Sequence, residues 1–552
     1  MSAASEPITL DEAQAVVAGV EGLTAAAVAE AKRLTENGRR IDDHQVLSER
    51  VAYAATEARA ARELLEFTTR TKKQGRADDH MERIACAGIA DIASTAINRL
   101  APAVDGLGIG EAGLDQHITA DVRALIRRGM DEALLREIGR TIAEQRGRNS
   151  LPLDETLEQV RDSVRQFADA EVAPHAERIH RHDELIPEDF INKMGELGYF
   201  GLSVPEEYDG HELGNLAMIL TTEELSRASL AAAGSLITRP EILAKALLKG
   251  GTDEQKKHWL PKLASGEVMV GISVTEPNVG SDVASLSCKA EPATVDGVDG
   301  WVINGAKSWC TFAGRANILA VLCRSDPDTS KRAKGLSLFI VPKPSFDGHE
   351  FETSQPGGGK LEGKADSTPG YRGMHSYTLN FENYFVPADH LVGGKEGEGR
   401  GFYLQMAGFA AGRLQTGGRA CGLTQAALEK TAEYVVERSQ FKKPLIEFQL
   451  TQYQLGRMAT RLAIARAITY AAADAMDEDE RAAAPLAAQA KLLACDVAVE
   501  VTQMGQLLHG GWGYAEEYPI SRYVIDAQVL PIFEGVKPVL ELKVVARSLF
   551  AE

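Results

Sequence analysis

The chain has 552 residues, 44% hydrophobic and 25% charged, an ordinary globular composition that excludes disordered and fibrous architectures and allows several domains. Sixty Lys and Arg against seventy-nine Asp and Glu leave a net charge of −19, and with no segregated basic patch this argues against nucleic acid as a partner. No apolar run reads as long enough to cross a bilayer and the opening MSAASEPITLDEAQ lacks a secretory signal, so a cytoplasmic protein with no membrane partner is expected.

Residues 1–150 are rich in Ala, Leu, Ile, Arg and Glu at helical spacing and predict an extra N-terminal helical domain, opened by a capping box from Thr9 to Glu12. Within it Gly108, Gly110 and Gly113 satisfy GxGxxG, but the preceding IADIASTAINRLAP is helical where a dinucleotide fingerprint needs a strand, so a linker is expected there. The polar RGRNSLPLD (146–154) predicts the boundary. A second helical domain spans 151–267, with Thr252 to Gln255 as another capping box. His175, His180, His182 and Asp183 crowd one polar stretch of it at no common metal-ligand spacing, which predicts a solvated helix face and no metal.

From 268 to 392 the texture changes to β-branched alternating runs separated by Gly, Asp and Pro turns, and a β-domain is expected. After GGKEGEGRG the chain returns to Ala- and Leu-rich helices, predicting a helical bundle over 393–552. The class is α+β multidomain. The cysteines, at 86, 288, 310, 323, 421 and 495, are scattered singly and predict small buried hydrophobes. A weak repeat aligns 44–62 with 448–466, matching Gln45, Ala55, Thr56, Ala61 and Arg62 to Gln449, Ala459, Thr460, Ala465 and Arg466; chance likeness of Ala-rich helices and a degenerate copy of the C-terminal bundle both account for it.

Polar density concentrates in GISVTEPNVGSDVASLSCKA (271–290), a strand end where backbone N–H groups and hydroxyls are free to meet a ligand. In the following GWVINGAKSWCTFAG, Trp309 and Thr311 are separated by two and so share a strand face, an aromatic beside a hydroxyl that suits a planar heterocycle or a core position. With ERSQFKKPLIEFQLTQYQLGRMATRLAIARAITYAAA (437–473) and LLHGGWGYAEEYPISRYVIDAQVLPIFEGVKPVLELKVVARSLF (507–550), these segments resemble the acyl-CoA dehydrogenase family over about 151–552.

That resemblance implies the family's helical domain, middle β-barrel domain and C-terminal four-helix bundle, bound FAD, and oxidation of an acyl-CoA thioester to the trans-2-enoyl-CoA. The base it implies is Glu534 in PIFEGV; the alternative base position on an earlier helix is matched by Gly412, which cannot serve. A carboxylate next to a desolvated thioester has its pKa raised toward working pH. The resemblance further implies that Thr275, Trp309 and Thr311 contact the flavin ring and that Ser281 touches the cofactor region and the CoA pantetheine. It implies that Arg438, Gln440 and Phe441 reach the FAD of a neighbouring subunit, with Gly510 and Gly511 at its pyrophosphate. Arg413 matches an arginine lining the substrate site, although Ala410 replaces the acid that often precedes it. Leu507 stands where the family has a Gln, with Gln506 one residue off, so no Gln contact to FAD is expected.

The long N-terminal unit and the extended stretch between Pro240 and Gln255 point, within the resemblance, to a member acting on a methyl-branched dicarboxyl acyl-CoA. Butyryl- or glutaryl-CoA oxidation and a non-catalytic scaffold are the other readings. A substrate carboxylate needs a cation, and Arg239 is its expected partner, unless it is an exposed helix-end residue; His375 and Tyr377 are further substrate-binding candidates. An electron-transfer flavoprotein is the implied electron acceptor. A homodimer is expected, with a homotetramer as the alternative, because a docked N-terminal domain covers surface used for pairing dimers.

Overall fold

The computed structural model describes residues 6–551, so the first residues of the stretch read for a targeting signal lie outside it. The chain opens with α1 (Leu10–Leu34), α2 (Gln45–Lys73), α3 (Asp79–Leu100), α4 (Gly110–His117), α5 (Ala120–Gly129) and α6 (Glu132–Glu144). Then come α7 (Glu155–Phe167), α8 (Ala173–His182), α9 (Glu188–Glu196), α10 (Gly214–Ala228), α11 (Thr238–Gly250) and α12 (Asp253–Ala264). Both expected capping boxes form, with Thr9 Oγ1 accepting from the Glu12 N–H at 3.2 Å and Thr252 Oγ1 from the Gln255 N–H at 3.2 Å. Gly108 and Gly110 turn the chain between α3 and α4, so a helix and not a strand precedes the glycine motif.

The strands are β1 (Val270–Ser273), β2 (Lys289–Val295), β3 (Val298–Thr311), β4 (Ile318–Arg324), β5 (Leu336–Pro342), β6 (Glu350–Ser354), β7 (Lys360–Ala365) and β8 (Ser376–Pro387). After α13 (Gly394–Gly397) and α14 (Gly401–Glu437), a hairpin of β9 (Ser439–Gln440) and β10 (Lys443–Pro444) leads to α15 (Gln449–Glu478), α16 (Glu480–His509) and α17 (Ile520–Ala527).

In space the residues form two compact units. One compact unit comprises Met1–Asp162 with Thr416–Glu552, the other Ser163–Gln415. In the first, α15 packs on α2, α3, α6 and α16, so the N-terminal helices share a core with the C-terminal ones. α6 and α15 cross backbone to backbone: a Cβ on Gly139 would lie 1.8 Å from the Gln452 carbonyl oxygen, and one on Gly456 2.0 Å from that of Leu135. Either glycine exchanged for alanine would force the helices apart. The aligned Gln45 and Gln449 each open a helix, and each of these helices is followed by a second long one, α3 and α16.

The expectation that no run is long enough to span a bilayer needs correcting. Asp79–Ala103 and Glu480–Tyr514 meet that test by length and composition, but 61% and 72% of the qualifying stretches are buried inside the protein, as in core helices of this first unit.

In the second unit the strands form one sheet in the order β1-β4-β2-β3-β8-β7-β6, with β5 on β4. This is the curled sheet of the middle β-domain that the resemblance implied, and among the described strands no hydrogen-bonded pair joins β6 to β1. Leu243 and Leu247 of α11 and Leu260 and Leu263 of α12 share a core with Val270 of β1, Ile318 and Leu322 of β4 and Ile340 of β5. Burial of these apolar side chains holds the helices against the strand that leads to Thr275. All of the cysteines are free and buried.

Candidate active site

The Ser163–Gln415 unit carries the Thr275 turn and the end of β3. The Glu276 carboxylate accepts hydrogen bonds at 2.8 Å from the Ser287 N–H, the Ser287 hydroxyl and the Cys288 N–H. Lys307 Nζ, fully buried, lies 3.0 Å from it and also donates to the Val274 carbonyl at 3.1 Å. Burial alone would raise the Glu276 carboxyl, but the Lys307 ammonium and these donors outweigh it and hold it below the usual carboxylate range. The Ser308 N–H donates to Thr275 O at 2.8 Å, so the turn is bolted to β3 from both sides.

β3 is bulged between Lys307 and Cys310, and Trp309 sits there with φ +58°. The bulge turns Lys307 and Ser308 both inward; Trp309 is 59% exposed, Cys310 is buried and Thr311 is half-buried. Trp309 and Thr311 do face away from the core together, but through a bulge and not through plain alternation. Thr311 Oγ1 lies 3.0 Å from Ser376 Oγ, and Ser281 is exposed just past the turn.

Arg239 stands in the first turn of α11 and is buried, at 4% exposure, which removes the reading of an exposed helix end. A Cβ on Gly408 would lie 2.7 Å from Ile242 O, so α11 and the α14 segment carrying buried Gly412 and half-buried Arg413 touch backbone to backbone.

His375 and Tyr377, expected to bind substrate, are engaged internally. His375 Nδ1 lies 3.2 Å from Gly373 O and Nε2 3.1 Å from Asp183 Oδ1, and the Tyr377 hydroxyl donates to Gly348 O at 2.9 Å. Burial pushes the tyrosine up to about 12, so it stays protonated. The histidine-rich stretch departs from a solvated face as well, since His180 is buried and Asp183 joins His375 and His349 in a group of potential ligand atoms. Arg372 Nε lies 3.2 Å from the same Asp183 oxygen, and this neighbouring cation disfavours a metal there.

The other unit carries Glu534. It is half-buried with φ +52°, a left-handed conformation uncommon for a residue with a Cβ, and Gly535 follows at φ +96°. Lys491, a buried side chain on α16, donates to the carbonyls on both sides of it, Phe533 O and Gly535 O, each at 2.5 Å. The Arg419 guanidinium lies 4.7 Å from the Phe533 ring centroid. Arg438 and Gln440 are exposed at the α14 end and in β9. Phe441, 88% exposed, and Lys442 both have positive φ, the two-residue hairpin geometry that projects its tip. Gly510 (φ 61°, ψ −138°) adopts a conformation open to glycine, and neither it nor Gly511 has anything within 4 Å of a Cβ position. Gln506 Nε2 donates to Gly513 O at 3.0 Å, holding its own turn, while Leu507 is exposed.

These residues fit FAD by chemistry. An outward aromatic with neighbouring hydroxyls suits a flavin ring, and bare glycine backbone facing open space suits a pyrophosphate. Glu276, Lys307, Lys491 and Arg419 escaped the sequence reading. The available signal was a charge alone among apolar residues, as in AAQAKLLAC and INGAKSW.

Models of the acyl-CoA dehydrogenase N-terminal, middle and C-terminal domains match residues 154–267, 271–384 and 399–550. A (2S)-methylsuccinyl-CoA dehydrogenase of Cereibacter sphaeroides is 42% identical over 78% of this chain and 76% of its own length. Among solved structures, butyryl-CoA dehydrogenase from Megasphaera elsdenii is 29% identical over 72% of this chain and 99% of its own, with a TM-score of 0.65. A chain from a study of the electron transferring flavoprotein of Acidaminococcus fermentans is 31% identical over 73% of this chain and 100% of its own, with a TM-score of 0.66. The chain therefore belongs to the acyl-CoA dehydrogenase family of FAD-dependent oxidoreductases.

Proposed function

We propose that the protein oxidises (2S)-methylsuccinyl-CoA to mesaconyl-CoA, a step of the ethylmalonyl-CoA pathway, with Glu534 as the base. The observation that carries the base assignment is the Glu534 segment itself, a strained carboxylate-bearing turn whose flanking carbonyls are both held by Lys491. The substrate assignment is supported by the 42% identical relative and by a buried guanidinium, Arg239, on α11.

FAD, when bound, would supply the two-electron oxidation that removes the β-hydrogen as hydride. Glu534 takes the α-proton, and its own backbone N–H donates to the thioester carbonyl as enolate charge develops. Thr275, Thr311 and Trp309 orient the flavin ring, and Ser281 meets the CoA arm. Arg239 pairs the substrate carboxylate, with Arg413 on the adjacent helix. Arg438, Gln440 and the projecting Phe441 serve the cofactor of a second copy in a homodimer, and Gly510 and Gly511 admit its phosphates. An electron-transfer flavoprotein takes the electrons, a reading supported by the likeness to the Acidaminococcus chain.

The test is anaerobic mixing of the purified flavoprotein with (2S)-methylsuccinyl-CoA and, separately, with butyryl- and glutaryl-CoA. Bleaching of the flavin band by methylsuccinyl-CoA alone, with mesaconyl-CoA as product, is expected. Bleaching by butyryl-CoA alone, or release of carbon dioxide from glutaryl-CoA, would replace the substrate and keep the base. No bleaching by any acyl-CoA in FAD-loaded protein would restore the scaffold reading.

A further inference from the structure

Helix α16 presents two charged side chains to the segment that carries Glu534. Lys491 holds the carbonyls on either side of the glutamate, at Phe533 and Gly535. Asp496, further along the same helix, accepts from Lys537 Nζ at 2.5 Å, and Lys537 is the third residue after Glu534. The left-handed turn is therefore gripped at its centre and at its C-terminal end. A strained conformation of this kind persists only where its surroundings over-determine it.

Asp496 is itself held from the N-terminal helices. Its Oδ2 accepts from the Tyr53 hydroxyl of α2, so Tyr53 and Lys537 converge on one carboxylate oxygen. The Tyr53 ring, 3% exposed, also lies 4.7 Å from Lys537 Nζ and 4.2 Å from the Arg99 guanidinium of α3. Arg99 in turn makes a two-point pair with buried Glu57 at 2.9 and 3.1 Å. Burial, reinforced by Asp496, pushes the Tyr53 phenol well above its ordinary value, so it stays a donor. Simple packing of α2 and α3 needs only their apolar faces; it does not call for a buried hydroxyl, a carboxylate and an ammonium in series toward one loop.

We propose that the α2–α3 pair is part of the apparatus that positions the base, with Tyr53 acting through Asp496 and Lys537 to fix one end of the Glu534 segment while Lys491 fixes its centre. Residues 1–150 then act on the reaction as well as on packing. This rests on Glu534 being the base, and Tyr53 is a positioning residue that touches neither substrate nor cofactor.

The decisive variant is Tyr53→Phe, which keeps the ring against Lys537 and Arg99 and deletes only the hydroxyl. Arg62→Gln, which cuts the α1–α2 pair with Glu21, is the control for loosening the same helices elsewhere. Both are made in the full-length, FAD-loaded protein, and flavin bleaching is followed in single turnovers across acyl-CoA concentration, beside flavin content and Tm. The expected result for Tyr53→Phe is a saturating rate about tenfold lower with a half-saturating concentration within about twofold of wild type. Arg62→Gln keeps the wild-type rate at whatever Tm it shows. A wild-type rate in Tyr53→Phe overturns the proposal, and so does rate loss in both variants that simply follows their Tm. Glu534→Gln separates the premises: if it bleaches at the wild-type rate the base reading fails, whereas an inert Glu534→Gln beside a normal Tyr53→Phe removes this inference alone.

Discussion

Replacing Arg239 by Met tests the substrate assignment, because it removes the charge and keeps an unbranched apolar stem of similar reach. Arg239 is 4% exposed, so a carboxylate brought against it loses its water. Truncating one member of a buried charge pair costs about 2–5 kcal/mol, which is roughly 30- to 5,000-fold in kcat/KM. For Arg239→Met a loss of about 100-fold or more is expected with (2S)-methylsuccinyl-CoA in steady-state assays with an electron-transfer flavoprotein. The paired substrate is butyryl-CoA, which has no carboxylate and should retain whatever kcat/KM the wild type gives it. An unchanged kcat/KM for methylsuccinyl-CoA would take Arg239 out of the pocket. An equal loss for both substrates would show that the side chain supports α11 and does not meet the carboxylate.

Lys307→Met should destabilise the Ser163–Gln415 unit by about 3 kcal/mol, because it strands the buried Glu276 carboxylate with only its Ser287 and Cys288 donors. Tm and FAD retention check this, and a melting curve that superposes on wild type would mean the pair contributes nothing net. Tyr377→Phe should cost about 1 kcal/mol through the orphaned Gly348 carbonyl and leave kcat and KM alone. A raised KM would return Tyr377 to the pocket. Burial pushes the Glu541 carboxyl up to about 7, even with Lys537 opposing, against an ordinary 4.5. The folded state thus binds more protons than the unfolded one between those values, so this group lowers stability as pH rises from 4.5 to about 7 and changes nothing further above that. Glu541→Gln should therefore be more stable than wild type at alkaline pH and equal to it at the acid end, by urea unfolding across pH. A difference that grows toward acid would reverse the sign and refute it.

The helices and strands were legible because their signals are local. The capping boxes at Thr9 and Thr252 and the change from helical to alternating pattern near Val268 need no knowledge of the rest of the chain. As candidates, Glu534, Trp309 and Gly510 were legible because their neighbours in sequence carry the family resemblance. Their conformations were not: nothing in GAKSWC announces that a bulge turns Lys307 and Ser308 inward together, and that bulge is what leaves Trp309 exposed beside Thr311. The internal hydrogen bonds of His375 and Tyr377 were not legible either, because an aromatic donor near a binding segment looks available until its partners are known. Those partners, Asp183 and Gly348, are 192 and 29 residues away.

The same reasoning explains why the supporting charges stayed hidden. Lys491, Lys307 and Tyr53 act on backbone or side chains 42, 31 and 443 residues distant, so only the fold reveals what each one holds. What the sequence does display is the cost of placing them: a lone lysine in AAQAKLLAC or INGAKSW sits where helix and strand periodicity call for an apolar residue. Burying an ammonium is unfavourable unless acceptors wait for it, so a charge that violates the apolar pattern marks a carbonyl or carboxylate that must be fixed in place. In this protein those fixed groups are the Glu276 carboxylate beside Thr275 and the carbonyls flanking Glu534, the two turns on which the proposed chemistry depends.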